Sequence, residues 1–361
     1  MNALDSYSPN WISPPGDTIS DILGERDISF LDFKSLLNLS ELNAKQLLDG
    51  KLRINSALAE KLSVVLGASQ SFWLEREKQY CEALARVNQE LEHSKKYWLS
   101  SLPTKEMVKL GWLPKTISQF QEFIYCLDFF GVDNLDEWKK DYQNKHSTVA
   151  FKTSQHFISV QGALDAWIRQ GEVLSKRIEC NSWDKSLFIS ILPWIRKLTR
   201  EKSPSVFVPK LQEACASCGV AVVIVRAPTG CKASGATKFI SNDKAMIIMS
   251  FRHLSDDHFW FTFFHEAGHL ILHDNNLTFI DDDTVDINEK VEQEANDFSK
   301  YLLIPKEYNG KLYEIANDGR LVLRFAREIG ISPGIVVGQL QKKNIIPYSH
   351  LNRLKTKFEW L

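Results

Sequence analysis

The sequence predicts an α+β fold, with helices first and a small sheet late. Apolar residues recur at helical spacing from Asp17 to about Arg200. Short β-rich runs appear only afterwards, at Val220 to Arg226, Ala236 to Ile240 and Ala245 to Ser250. An apolar, helix-compatible segment then surrounds Phe263-Phe264-His265-Glu266-Ala267-Gly268-His269-Leu270-Ile271-Leu272-His273. The expected divisions are a small helical domain (1–80), a helical linker region (81–203), an α+β core (204–310) and a C-terminal helical cap (311–361).

At 361 residues the chain has room for two or three domains. With 44% hydrophobic and 25% charged residues, its composition argues against long disordered spans. A net charge of −1 gives the whole molecule no electrostatic pull toward nucleic acid, so any such contact must come from a local patch. The opening Met1-Asn2-Ala3-Leu4-Asp5-Ser6 has neither the basic residues nor the apolar core of a signal peptide. No apolar run approaches membrane-spanning length. Cys81, Cys126, Cys180, Cys215, Cys218 and Cys231 are scattered, and the lone Cys215-x-x-Cys218 pair has no second pair to make a structural zinc site. These thiols are expected to be buried and reduced, and the location cytoplasmic.

After Ser13-Pro14-Pro15-Gly16, four helices are expected: one opening at Thr18 to Leu23, then Ser29 to Leu37, Ser40 to Leu48 and Asn55 to Leu66. Asn38 sits where a tight turn between helices demands a left-handed residue, which Asn tolerates. The run Leu37-Asn38-Leu39-Ser40-Glu41-Leu42-Asn43-Ala44-Lys45-Gln46-Leu47-Leu48-Asp49-Gly50-Lys51, with Ser71-Phe72-Trp73-Leu74, resembles the Xre/HigA type of helix-turn-helix domain. Ser40, Asn43, Lys45 and Gln46 are the residues that would contact DNA. Three positions depart from that family's pattern. Phe30 stands where a phosphate-binding Gln is usual, Lys34 where a small residue lets the helices approach, and Glu41 presents a carboxylate to a polyanion. The module therefore either reads DNA or serves as a dimerisation or partner-docking unit, and a homodimer stays open.

From Glu82 to Arg200 the pattern is helical and punctuated by Trp98, Trp112, Trp138, Trp167, Trp183 and Trp194, expected to be core. Pro204 marks a boundary, and a helix from Val208 to Cys218 leads into the first strand. Met246, Ile248 and Ser250 alternate with Ile247 and Met249, so one face of that strand can pack while the other meets the next helix. If its outer edge is free, it could take a substrate segment as an added strand. Near the C-terminus, Ala326 to Val337 echoes a helix-turn-helix. Pro333 and Gly334 argue for a structural cap instead, and Lys342, Lys343, Arg353, Lys355 and Lys357 for a solvated basic tail.

The chemistry is concentrated in His265-Glu266-Ala267-Gly268-His269. Residues four apart share a helix face, so His265 and His269 can aim at one point, as a tetrahedral zinc site requires of two ligands. Glu266 is placed to take a proton from a zinc-bound water. A second helix, Glu289-Lys290-Val291-Glu292-Gln293-Glu294-Ala295-Asn296-Asp297-Phe298, offers the third ligand. Glu292 and Glu294 are two apart and cannot both face the metal. Glu294 is preferred, because small Ala295 and packing Phe298 flank it.

These motifs, with Asp256-Asp257-His258-Phe259-Trp260 before them, Leu302-Leu303-Ile304-Pro305 after them, and Ser234-Gly235-Ala236-Thr237 and Lys244 to Ser250 upstream, resemble the ImmA/IrrE family of zinc metallopeptidases. The resemblance implies a zincin-like α+β metallopeptidase domain and cytoplasmic, site-specific cleavage of a protein partner, typically a repressor or antitoxin. It supports His265, His269 and Glu294 as Zn2+ ligands and Glu266 as general base. His273 lacks the spacing of a third ligand histidine and is read as supporting the ligands or the structure. Tyr301, His258 and His273 are the candidates to assist at the developing oxyanion. The rival reading is a transcription regulator or antitoxin whose metal domain senses or docks.

Overall fold

The computed structural model describes residues 12–115, 118–143, 155–273, 279–281, 289–316 and 318–359. The chain folds as two compact units, divided between Tyr97 and Trp98.

The first unit is all helical: α1 (Pro15–Glu25), α2 (Phe30–Leu36), α3 (Glu41–Leu48), α4 (Ser56–Leu66) and the long α5 (Gln70–Ser101), which runs past its end. The helix starts follow capping chemistry. Ser29, Ser40 and Asn55 each stay extended and accept a hydrogen bond from the backbone N–H three residues on, satisfying a donor the helix itself leaves unpaired. Asn38 takes the expected left-handed turn, at φ 53°. Ile19, Phe33, Leu37, Leu47, Leu62 and Trp73 close the core. Full burial of each such side chain contributes roughly 1.5–3 kcal/mol before ordering costs.

The second unit opens with α6 (Thr104–Lys109), α7 (Gln119–Phe130), α8 (Leu135–Trp138), α9 (Gln155–Ser175), α10 (Lys185–Leu198) and α11 (Pro204–Ala216). Strands β1 (Val220–Ile224), β2 (Gly235–Ser241) and β3 (Lys244–Met249) follow, then α12 (Asp256–Leu272), β4 (Phe279–Asp281) and α13 (Glu289–Leu303). The unit closes with α14 (Asn309–Ile315), α15 (Gly319–Ile329) and α16 (Pro333–Lys342). The fold is α+β with a helical N-terminal part, as expected.

The sheet order is β1-β3-β2-β4, with β3 parallel to β1 and antiparallel to β2. β3 is therefore internal, so the condition for adding a substrate segment to it, a free outer edge, is not met. Both its faces are covered, which is why Ala245-Met246-Ile247-Ile248-Met249 reads as a continuous apolar run. Ala245, Ile247 and Met249 join the core with Trp260, Phe263, Phe264 and Ala267 of α12. Met246 and Ile248 pack on the other side with Ala163, Leu164 and Trp167 of α9. The middle of the chain thus supplies one layer of the sheet domain.

Trp98, Trp138 and Trp167 are buried as expected, but Trp194 is 46% exposed. Phe188, Leu192 and Ile195 define the buried stripe of α10, and Trp194 lies two residues from Leu192, on the opposite side. Pro333 begins α16 rather than breaking it, at a position where a missing N–H costs nothing. Ile335, Val336, Val337 and Leu340 bury that helix in the core. Lys355 departs from the solvated tail: its ammonium is buried 2.6 Å from Asp257. Cys215 and Cys218 are buried free thiols, and burial pushes Cys215 well above the usual thiol range. Among the described residues no helix is long and apolar enough to cross a membrane.

Candidate metal centre

Helix α12 is buried along almost its whole length, so its polar residues are held by packing rather than by solvent. Phe263, Phe264, Ala267 and Leu270 anchor it in the core and turn His265 and His269 the other way. Both histidines are nearly fully buried, with their Nε2 atoms 3.0 Å apart. Tetrahedral bonds of about 2.05 Å to one ion would separate two nitrogens by roughly 3.3 Å, so the pair is close to that arrangement.

Helix α13 supplies the carboxylate. It presses against α12 through Ala295, Ser299 and Leu303, a stripe at helical spacing, and Ser299 Oγ donates to the Phe261 carbonyl at 2.9 Å. Gly268 permits the approach: a Cβ there would sit 3.1 Å from Phe298 Cδ1 and 3.3 Å from Ala295 Cα. Glu292 lies three residues before Ala295, on the same stripe. Its Oε2 is 3.2 Å from His265 Nε2 and its Oε1 is 3.4 Å from His269 Nε2. One donor atom from each of His265, His269 and Glu292 falls within 4.8 Å of the others. Burial alone would raise the Glu292 carboxyl, but hydrogen bonds and charge from both histidines outweigh it and hold it at about 2. Burial also lowers His269, against the opposing pull of Glu292, which favours the neutral imidazole a metal ligand must be.

Glu294 does not join this cluster. It bonds instead to His273, with Oε2 3.2 Å from Nε2. Ala295 and Phe298 did mark a packed face, but helical periodicity puts Glu292, not the adjacent Glu294, on it. That three-residue spacing is the signal by which the sequence could have found Glu292. His273 caps α12, and its Nδ1 lies 3.1 Å from His269 Nδ1. Tyr301 is nine residues beyond Glu292, half a turn out of phase at ~100° per residue, and the Lys300 and Lys306 ammoniums lie over its ring at 5.0 and 4.4 Å. His258 is two turns before His265, about 10 Å along the axis, and stacks on His253 with ring centroids 4.1 Å apart. The geometry brings neither Tyr301 nor His258 into the cluster.

Glu266 is fully buried. Its wall is β2, where a Cβ on Gly235 would lie 2.6 Å from both Glu266 Oε1 and Thr262 Cγ2, so only glycine lets the strand come this close. The donor set of two imidazoles and one carboxylate, with a buried acid beside it, fits a divalent ion that accepts nitrogen and oxygen ligands.

In the first unit, Ser40 is spent as the cap of α3, accepting from Asn43 N–H at 3.1 Å. Asn43 and Lys45 are exposed and Gln46 is half-buried, while Lys45 is paired to Glu41 at 2.7 Å. Leu42 stands 65% exposed on the same helix.

Residues 220–340, within the second unit, match the family model Peptidase_M78, described as the IrrE N-terminal-like domain. A stretch of 60 residues, 17% of the chain, is 38% identical to the uncharacterized HTH-type transcriptional regulator YddM of Escherichia coli (strain K12). The match spans 64% of that relative's length. Together they bear out the resemblance to the ImmA/IrrE family with a helix-turn-helix segment.

Proposed function

We propose that the chain is a cytoplasmic zinc-dependent endopeptidase that cleaves a protein partner, a transcriptional repressor or antitoxin, in a stress, mobile-element or toxin–antitoxin setting. The observation that carries this reading is the convergence of His265, His269 and Glu292 beside the buried Glu266. These three would hold Zn2+, which when bound polarises a carbonyl and acidifies a coordinated water. Glu266 takes the proton of the attacking water and returns it to the leaving amine nitrogen. Gly235 keeps that carboxylate walled against β2, so little reorganisation accompanies the transfer. Packing through Gly268 and Ala295 holds the ligands of the two helices in register.

The test compares new protein N-termini in native cells carrying wild type or Glu266→Gln. Termini seen only with wild type, at one or a few sites, are the expected result. Identical termini under every inducing condition, with zinc present in both proteins, would count against cleavage.

A second reading, DNA binding through the first unit, draws on the likeness to an HTH-type regulator. Asn43, Lys45 and Gln46 would then meet the groove, while Glu41 and Leu42 oppose contact with a polyanion. Salt-sensitive, sequence-specific retardation of DNA from upstream of its own gene would favour that reading. Its absence would favour docking or dimerisation through α3.

A further inference from the structure

We propose that Glu294 and His273 form a positioning pair that fixes the tautomer and aim of His269 for the metal. This rests on the reading of His265, His269 and Glu292 as ligands. His269 points Nε2 into the cluster, 3.4 Å from Glu292 Oε1, so that nitrogen must carry the lone pair that binds a cation. Its proton then belongs on Nδ1, which lies within hydrogen-bonding distance of His273 Nδ1, at 3.1 Å. An accepting Nδ1 leaves the His273 proton on Nε2, where it donates to Glu294 Oε2 at 3.2 Å. One assignment of protons satisfies every link, from the Glu294 carboxylate through two neutral imidazoles to the metal-facing nitrogen.

The backbone supports this arrangement. His273 leaves helical conformation at ψ 173° while its N–H still bonds to the His269 carbonyl at 3.2 Å. That exit brings its ring alongside His269. Glu294 reaches it from the neighbouring helix, so the link also ties α13 to the end of α12. A carboxylate at the far end makes His269 a stronger donor and stops its ring from rotating. The acid that failed to meet the ligand cluster thus acts on it at one remove.

The experiment uses the full chain, stripped of metal and titrated with Zn2+ against a chromophoric chelator, with the visible spectrum of the Co2+ form as a second readout. Glu294→Ala and His273→Ala are each expected to weaken zinc binding by about 10–100-fold and to alter the Co2+ bands. The double variant should be no weaker than the worse single, because the two act as one chain. Glu294→Gln, which keeps an acceptor oxygen, should recover part of the loss. Affinities within about threefold of wild type with unchanged Co2+ bands, or losses that simply add, would overturn the pair. Glu292→Gln separates this from failure of the ligand assignment. If Glu292→Gln binds zinc normally while Glu294→Gln does not, the ligand set itself is wrong.

Discussion

Glu266 and Glu292 are both carboxylates on buried helices, yet their surroundings assign them different work. Glu266 is fully buried and walled by Gly235 and Thr262, whereas Glu292 bridges the two imidazoles and is held at about 2. Glu266→Gln should therefore keep zinc at wild-type stoichiometry and lose about 10²–10⁴-fold in cleavage rate. Metal analysis with a peptide assay checks this, and an active variant would remove Glu266 from the mechanism. The two histidines and Glu266 were legible in the sequence because their relative placement is fixed by one helix. The third member of the cluster was harder, since its choice depends on which face of a second helix meets the first. Ala295 is a packing residue, and the neighbour at three residues, Glu292, shares its face while the neighbour at one, Glu294, does not.

Between elements, the close pass of α12 and α13 sets the distance from the histidines to Glu292. Gly268 is the residue that limits it, since a methyl there already sits 3.1 Å from Phe298 and 3.3 Å from the Ala295 backbone. Gly268→Ala can be absorbed by a small shift of the Phe298 ring. Gly268→Val cannot, and should force the helices apart, lowering stability by about 1–3 kcal/mol. Zinc affinity should fall with it, by more than for alanine. Chelator titration and thermal unfolding of both variants check the grading, and equal affinity in wild type and valine would show that the pass is not what places Glu292. Helix starts in the first unit could be read locally, because Ser29, Ser40 and Asn55 cap through their own side chains. The place of β3 in the sheet could not. Its residues show only that both faces are buried, and which strands flank it is decided by partners distant in sequence.

At the scale of the whole molecule, the end of the chain is fastened to the start of α12, the helix that carries His265 and His269. Asp256 N–H donates to the Thr356 carbonyl and Asp256 Oδ1 accepts from Thr356 N–H, both at 3.0 Å, and Phe358 N–H donates to the Leu254 carbonyl at 2.8 Å. Phe358 then packs against Phe207, Phe251 and Phe259, and Lys355 pairs with Asp257. None of this was visible in a tail read as a solvated basic face, because an acid about a hundred residues away supplies the partner. Burial pushes Asp256 up to about 6 from 3.8, with Asp257 adding to the rise and hydrogen bonds from Ser332, Thr356 and Asp257 opposing it. The folded state therefore holds this proton more tightly than the unfolded chain, and stability from this group falls as pH rises from about 4 to about 6. A shift of about two units corresponds to roughly 3 kcal/mol lost by neutral pH. Asp256→Asn should remove that slope. Its carbonyl can accept from both backbone donors at the Oδ1 position, and its amide can donate to Ser332 Oγ where the acid now accepts. The variant is expected to match wild type near pH 4 and to exceed it near pH 7, measured by thermal unfolding across that range. Parallel curves for the two proteins would show that Asp256 stays ionised in the folded state and that the clasp is held by charge.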